Sequence, residues 1–139
     1  NGPVLGCIFT VIGLGAFGKN VKNVLPILIG VTLMGRLNYQ DNQSTIVLIS
    51  ALFGTTLAPL AGRYGNIAGI IAGAMHLTLV MNIGYLHGGV NLYNNGFSGG
   101  LVASILVPIL EAFQLHRTNQ RALRRPVDPA DEVEVDRTN

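Results

Sequence analysis

The sequence predicts an all-α membrane fold of about five apolar helices or half-helices, with a Gly/Asn-rich segment that re-enters the membrane. Three observations carry that prediction. Only 12% of the 139 residues are charged, against about 25% in an ordinary soluble domain. The shortage is uneven: residues 1–115 hold Lys19, Lys22, Arg36, Asp41, Arg63 and Glu111, and every other charge lies in 116–139. Apolar stretches fill most of the first 115 residues. Finally, the lysines and arginines fall on alternate connectors, which is the positive-inside pattern.

The composition argues against a disordered chain, a coiled coil, a nucleic-acid binder and a disulfide scaffold. With the single cysteine Cys7, no intrachain disulfide can form. Two classes remain, a multi-pass membrane protein and an unusually apolar α/β core. The chain opens at Asn1-Gly2-Pro3 without an initiator Met and runs straight into apolar sequence, as a fragment of a longer protein does.

The stretches are 3–17, 21–35, 44–62, 66–84 and 97–115. The third and fourth approach the ~20 residues needed to cross a hydrocarbon core. The first two are short enough to be tilted or half-helices. The fifth carries Glu111 near its end. Gly65, Gly69 and Gly73 recur at four-residue spacing, which places bare patches on one helix face for close helix–helix packing. Residues 1–115 form the membrane domain. Residues 116–139 form a basic-then-acidic tail, read as a short helical extension followed by disorder. With that tail in the cytoplasm, Lys19, Lys22 and Arg63 fall inside and Arg36 outside. The implied location is a bacterial inner membrane.

Residues 84–100, GYLHGGVNLYNNGFSGG, lack charge but are rich in hydrogen-bonding groups. One reading is a re-entrant segment whose His87, Asn91, Asn94, Asn95 and Gly96 line a site for a polar solute. The other is an exposed loop of turn formers. Asn1-Gly2 echoes Asn95-Gly96, since both open Asn-Gly-x-x-x-Gly before an apolar run, which makes Asn1 a candidate at a second half-helix. His76 and Asn82, inside the fourth stretch, extend the polar path. Gly13, Gly15 and Gly18 form GxGxxG. The context argues against a dinucleotide turn, because Pro26 interrupts the helix that should follow and no acidic residue stands about 20 positions on.

No histidine has metal-ligand spacing with cysteine or carboxylate, so no metal and no cofactor is expected. With so few acids before the tail, no catalytic set is legible, and the chain is expected not to be an enzyme. The expected partners are the lipid bilayer, a small polar solute and, as an open alternative, further copies of the chain in a homo-oligomer. The first function expected is a transporter or channel for that solute. A structural or scaffolding membrane subunit is the alternative, and a dinucleotide-binding domain is a remote one.

GLGAFGKNVKNVLPILIGV, LFGTTLAPLAG and LHGGVNLYNNGFSGGLVASILVPILEAF resemble a family of bacterial multi-pass membrane proteins known only as a domain of unknown function. The resemblance spans about residues 3–113, with the His87–Phe97 stretch its most specific part. It implies membrane location and a longer protein, and no activity. More loosely, an Asn-containing motif opening a half-helix is similar to urea-channel proteins.

Overall fold

The computed structural model describes residues 2–13, 20–38, 45–83 and 91–123. All regular structure among them is helical: α1 (Gly2–Gly13), α2 (Val21–Leu37), α3 (Thr45–Gly54), a 3-10 turn η1 (Thr55–Leu57), α4 (Ala58–Tyr64), α5 (Asn66–Ile83) and α6 (Asn91–Leu123). Among the described residues three helical segments are long and apolar enough to cross a membrane: Thr45–Tyr64, Asn66–Ile83 and Asn94–Leu123. The described parts of the apolar stretches are helical; α1, with 12 residues, falls short of a full span as its stretch does, and the third stretch is interrupted. α2 runs unbroken for 17 residues, while Thr45–Tyr64 is α3 and α4 joined by η1.

Local chemistry sets the boundaries. Asn20 caps α2, its side chain accepting from the Asn23 amide at 3.0 Å. Pro26 lies inside α2. Its missing N–H falls early enough that the unpaired carbonyl belongs to exposed Lys22. α4 ends at Gly65, whose φ of 95° suits glycine, and whose N–H returns to the Ala61 carbonyl. Gly65 therefore separates α4 from α5. The sequence reading placed it in a ladder with Gly69 and Gly73, but it sits outside the helix, and a Cβ there would meet nothing within 4 Å.

The chain divides into two compact units, Asn1–Pro108 and Ile109–Asn139. In the first, α2 and α5 run parallel in backbone contact. A Cβ on Gly69 would lie 2.8 Å from the Pro26 Cβ, one on Gly73 would strike the Ile27 carbonyl, and one on Gly30 would strike the Ile70 carbonyl. Further along, Val31 and Leu77 share a core cluster with Val47 of α3. This parallel course places Lys22 and Arg63, near the starts of α2 and α5, at one end of the unit. Gly30 was not singled out from sequence, yet it is the partner that lets the two backbones meet.

Ile27, Ile49 and Leu77 are buried with small residues, and many other large aliphatic side chains face outward. Leu25, Ile29 and Leu33 form an exposed stripe on α2, opposite buried Pro26, Ile27, Gly30 and Val31. Leu5, Ile8, Phe9 and Ile12 are exposed on α1, and Ile67 and Ile71 on α5. In the second unit, the end of α6 is helical through Leu123, and every described residue from 111 onward is exposed.

Candidate functional site

The interruption of Thr45–Tyr64 follows from one residue. Pro59 has no N–H, so the Thr55 carbonyl cannot receive the usual bond from four residues on. The Ala58 N–H takes that carbonyl instead, which tightens the chain into η1. The Thr55 hydroxyl donates to the Leu52 carbonyl at 2.6 Å, and the Thr56 hydroxyl to the Phe53 carbonyl at 2.8 Å.

His76 of α5 lies against this break. It is ten residues into α5, about 15 Å along the axis from the Asn66 end, and its side chain is fully buried. Glycines flank the ring. A Cβ on Gly54 would lie 3.3 Å from His76 Cδ2, and one on Gly99 of α6 would lie 3.9 Å from Cε1 and Nδ1. The Asn95 side chain and the Ser50 backbone are neighbours of the imidazole. Neither reaches bonding geometry with a ring nitrogen, since both Nδ1 and Nε2 lack a hydrogen-bond partner.

The buried polar side chains among the described residues are Ser50, Thr55, His76, Asn94, Asn95 and Ser98. Spacing puts several of them on shared helix faces. Ser50 and Gly54 are four apart on α3, as are Asn94 and Ser98, and Asn95 and Gly99, on α6. Ser50 Oγ, Ser98 Oγ and Asn94 Oδ1 are buried without a partner. A helical hydroxyl can bond the carbonyl one turn back, and Thr10, Thr78 and Ser104 do so. Ser50 and Ser98 do not. Each buried polar group left dry costs about 1–3 kcal/mol. Buried groups left unpaired in this way are where an ordered water or another polar partner would be stabilising.

The residues named from sequence divide. His76 and Asn95 come together here, and Asn94 is buried on the same helix as Asn95. Asn82 does not: it is exposed, and its Nδ2 donates to the Thr78 carbonyl of its own helix at 2.7 Å. Gly96 is exposed, and a Cβ there would meet nothing. Asn95 does not stand before the helix that carries the fifth apolar stretch. It is the fifth residue of α6, which starts at Asn91. The two halves of the echo therefore differ, since α1 begins at Gly2, directly after Asn1, whereas Asn95 lies inside α6. Asn1 and His87 lie outside the described residues, as do residues 84–90 of the segment expected to re-enter, while 91–100 form the start of α6. Asn91 opens α6.

Gly13 ends a helix where a dinucleotide turn needs a strand before it, and Gly15 and Gly18 lie outside the described residues. Among the described residues no group of histidine, cysteine and acidic side chains is arranged to hold a metal. Sequence reasoning missed Ser50, Ser98, Gly54 and Gly99. The available signal was the pairing of a polar with a small residue at four-residue spacing on two separate helices.

These features define an all-helical domain with a buried, uncharged polar centre at a helix break. The chain belongs to the DUF1576 family, described as a protein of unknown function, whose profile matches residues 1–112. No curated protein and no solved structure matches it.

Proposed function

We propose that this chain is part of a bacterial inner-membrane transporter or channel for a small polar solute, with the His76 centre as its binding site. One observation carries the reading: His76, Ser50, Asn94 and Ser98 present buried polar atoms without partners beside a break in a helix of membrane-spanning length. Transport proteins place solute sites near mid-membrane, at interrupted helices, where backbone and side-chain dipoles replace the solute's water. The outward-facing aliphatic stripes fit a lipid surround. The shared end of Lys22 and Arg63 fits a cytoplasmic face, with the C-terminal tail on that side. The centre offers hydrogen bonds without an acid–base pair, which suits passage and not catalysis. His87, Asn91 and Asn1 remain proposed contributors at the outer side.

The test is solute flux. Full-length protein in liposomes is mixed with formamide, urea or glycerol, and vesicle volume is followed by stopped-flow light scattering. At least one solute should equilibrate faster than in protein-free vesicles. His76→Leu should return that rate to background while retaining the helix content. Equal flux in wild type and His76→Leu would remove His76 from the path.

A further inference from the structure

A groove of about 240 Å³ runs between η1–α4 and the first half of α6, lined by Thr56, Leu57, Leu60, Arg63, Ala103 and Val107. Its two ends differ. One is at Arg63, whose guanidinium lies 5.2 Å from the Tyr64 ring centroid, at the Lys22/Arg63 end of the unit. The other is at Thr56, whose Oγ1 would lie 3.6 Å from a Cβ on Gly99. Gly99 is the residue against His76 Cε1 and Nδ1. The groove therefore stops one small residue short of a fully buried imidazole nitrogen that has no partner. Along α6 the facing residues are Gly99, Ala103 and Val107, one per turn and growing in size away from the centre.

We infer that this groove is the route by which an uncharged, hydrogen-bonding solute of a few heavy atoms passes between the Lys22/Arg63 end and the His76 centre. The inference rests on that centre being a solute site. Volume sets the size, since a groove of about 240 Å³ holds several waters and so a solute of a few heavy atoms. The lining sets the charge. Between Thr56 and Arg63 it is Leu57, Pro59, Leu60, Ala103 and Val107, which offer nothing to replace an ion's hydration. Arg63 at the mouth repels cations and holds anions where they enter. An uncharged solute gives up a few hydrogen bonds in the groove and regains them at Thr56, His76, Ser50 and Ser98. The centre has acceptors and donors and no fixed charge, so it matches the same class.

The test reads access to His76 and needs no transported solute. Diethylpyrocarbonate is small and uncharged. It carbethoxylates an unprotonated imidazole nitrogen, with loss of ethanol and carbon dioxide, and peptide mass spectrometry gives the rate at each histidine. On full-length folded protein, His76 should be modified despite its burial, with exposed His116 as the internal control. Ala103→Phe, which plugs the groove, should slow His76 about tenfold or more, the effect of ~1.4 kcal/mol of barrier, and leave His116 unchanged. Ala103→Cys in a Cys7→Ser background gives the same block reversibly, capped by benzyl methanethiosulfonate after folding and released by reductant.

Charge is tested at Thr56→Cys. Neutral methyl methanethiosulfonate should outpace its trimethylammonioethyl and sulfonatoethyl counterparts by about tenfold or more, relative to the same ratios at His116→Cys. An unmodified His76, or equal rates with the groove plugged and open, would overturn the route. Equal rates for charged and neutral reagents would overturn the solute class. The parent reading fails separately. If access behaves as expected and liposome flux is absent, the route stands without transport. If His76→Leu abolishes flux while the plug leaves His76 access unslowed, transport stands and this route does not.

Discussion

The α2–α5 seam and the His76 centre are both built on glycine and share helix α5, yet they use glycine oppositely. In the seam, Gly30 and Gly73 bring backbone against backbone, and a Cβ would strike a carbonyl oxygen. At the centre, Gly54 and Gly99 face a side chain, and a Cβ would sit at 3.3–3.9 Å from its neighbours. The seam has no spare volume. The centre brings glycine against side chains and leaves several buried polar atoms unpaired. The lesson is that a glycine stripe says only that something comes close. What comes close, carbonyl or imidazole, decides whether the place holds helices together or holds a ligand.

The largest effect that separates the two is at the seam. Gly73→Leu drives a branched side chain into the Ile27 backbone, which cannot rotate away. Overpacking of this kind costs about 1–3 kcal/mol and occasionally more, and the backbone contact places it at the upper end. Thermal unfolding in detergent should show a large drop in Tm. Gly96→Leu, at an open position of α6, should leave Tm nearly unchanged. Equal drops would mean that glycine replacement is harmful in these helices generally and that the seam is nothing special.

A smaller effect tests the helix break that belongs to the centre alone. Both regions contain a proline. Pro26 packs against Gly69 and leaves α2 continuous, whereas Pro59 leaves the Thr55 carbonyl to Ala58 and creates η1. Pro59→Ala returns an N–H four residues after Thr55. Because Pro59 already sits in the first turn of α4, where proline is tolerated, the stability change should stay within about 1 kcal/mol. Thr56 should nevertheless move as the span straightens, and hydrogen exchange at residues 55–59 should slow. An unchanged exchange pattern would assign the break to tertiary contacts instead of to the proline.

The helices were legible because long apolar runs with few charges leave little else to form, and His76 was legible because an ionisable residue in such a run is unusual. Other features were hidden for identifiable reasons. Residues 91–98 read as turn formers by composition, but Asn94, Asn95 and Ser98 are buried and so take a helical face. Context overrides propensity there. Ser50 and Ser98 carry almost no signal in one dimension, because a serine in a helix is normally satisfied by its own backbone. Gly30 gave no spacing motif of its own, since its partner Gly73 lies on another helix. Gly65 fitted the ladder by number and left it by conformation, with a φ of 95°.

The smallest effect gives the sharpest contrast, because one substitution should change sign between the two regions. Glycine in a helix interior is worse than alanine by roughly 0.5–1 kcal/mol through backbone entropy. At Gly99 the added methyl would meet Thr56 Oγ1 at 3.6 Å and His76 at 3.9 Å, which is ordinary contact. Gly99→Ala should therefore keep most of the entropic gain and raise Tm slightly. At Gly73 the same methyl meets the Ile27 carbonyl, so Gly73→Ala should lower it. The functional readout should run the other way. A methyl at Gly99 stands between the groove and His76 Nδ1, so Gly99→Ala should slow carbethoxylation of His76 while making the protein more stable. If Gly99→Ala lowered Tm as Gly73→Ala does, the centre would be as tightly closed as the seam, and the space around His76 on which the solute site depends would not exist.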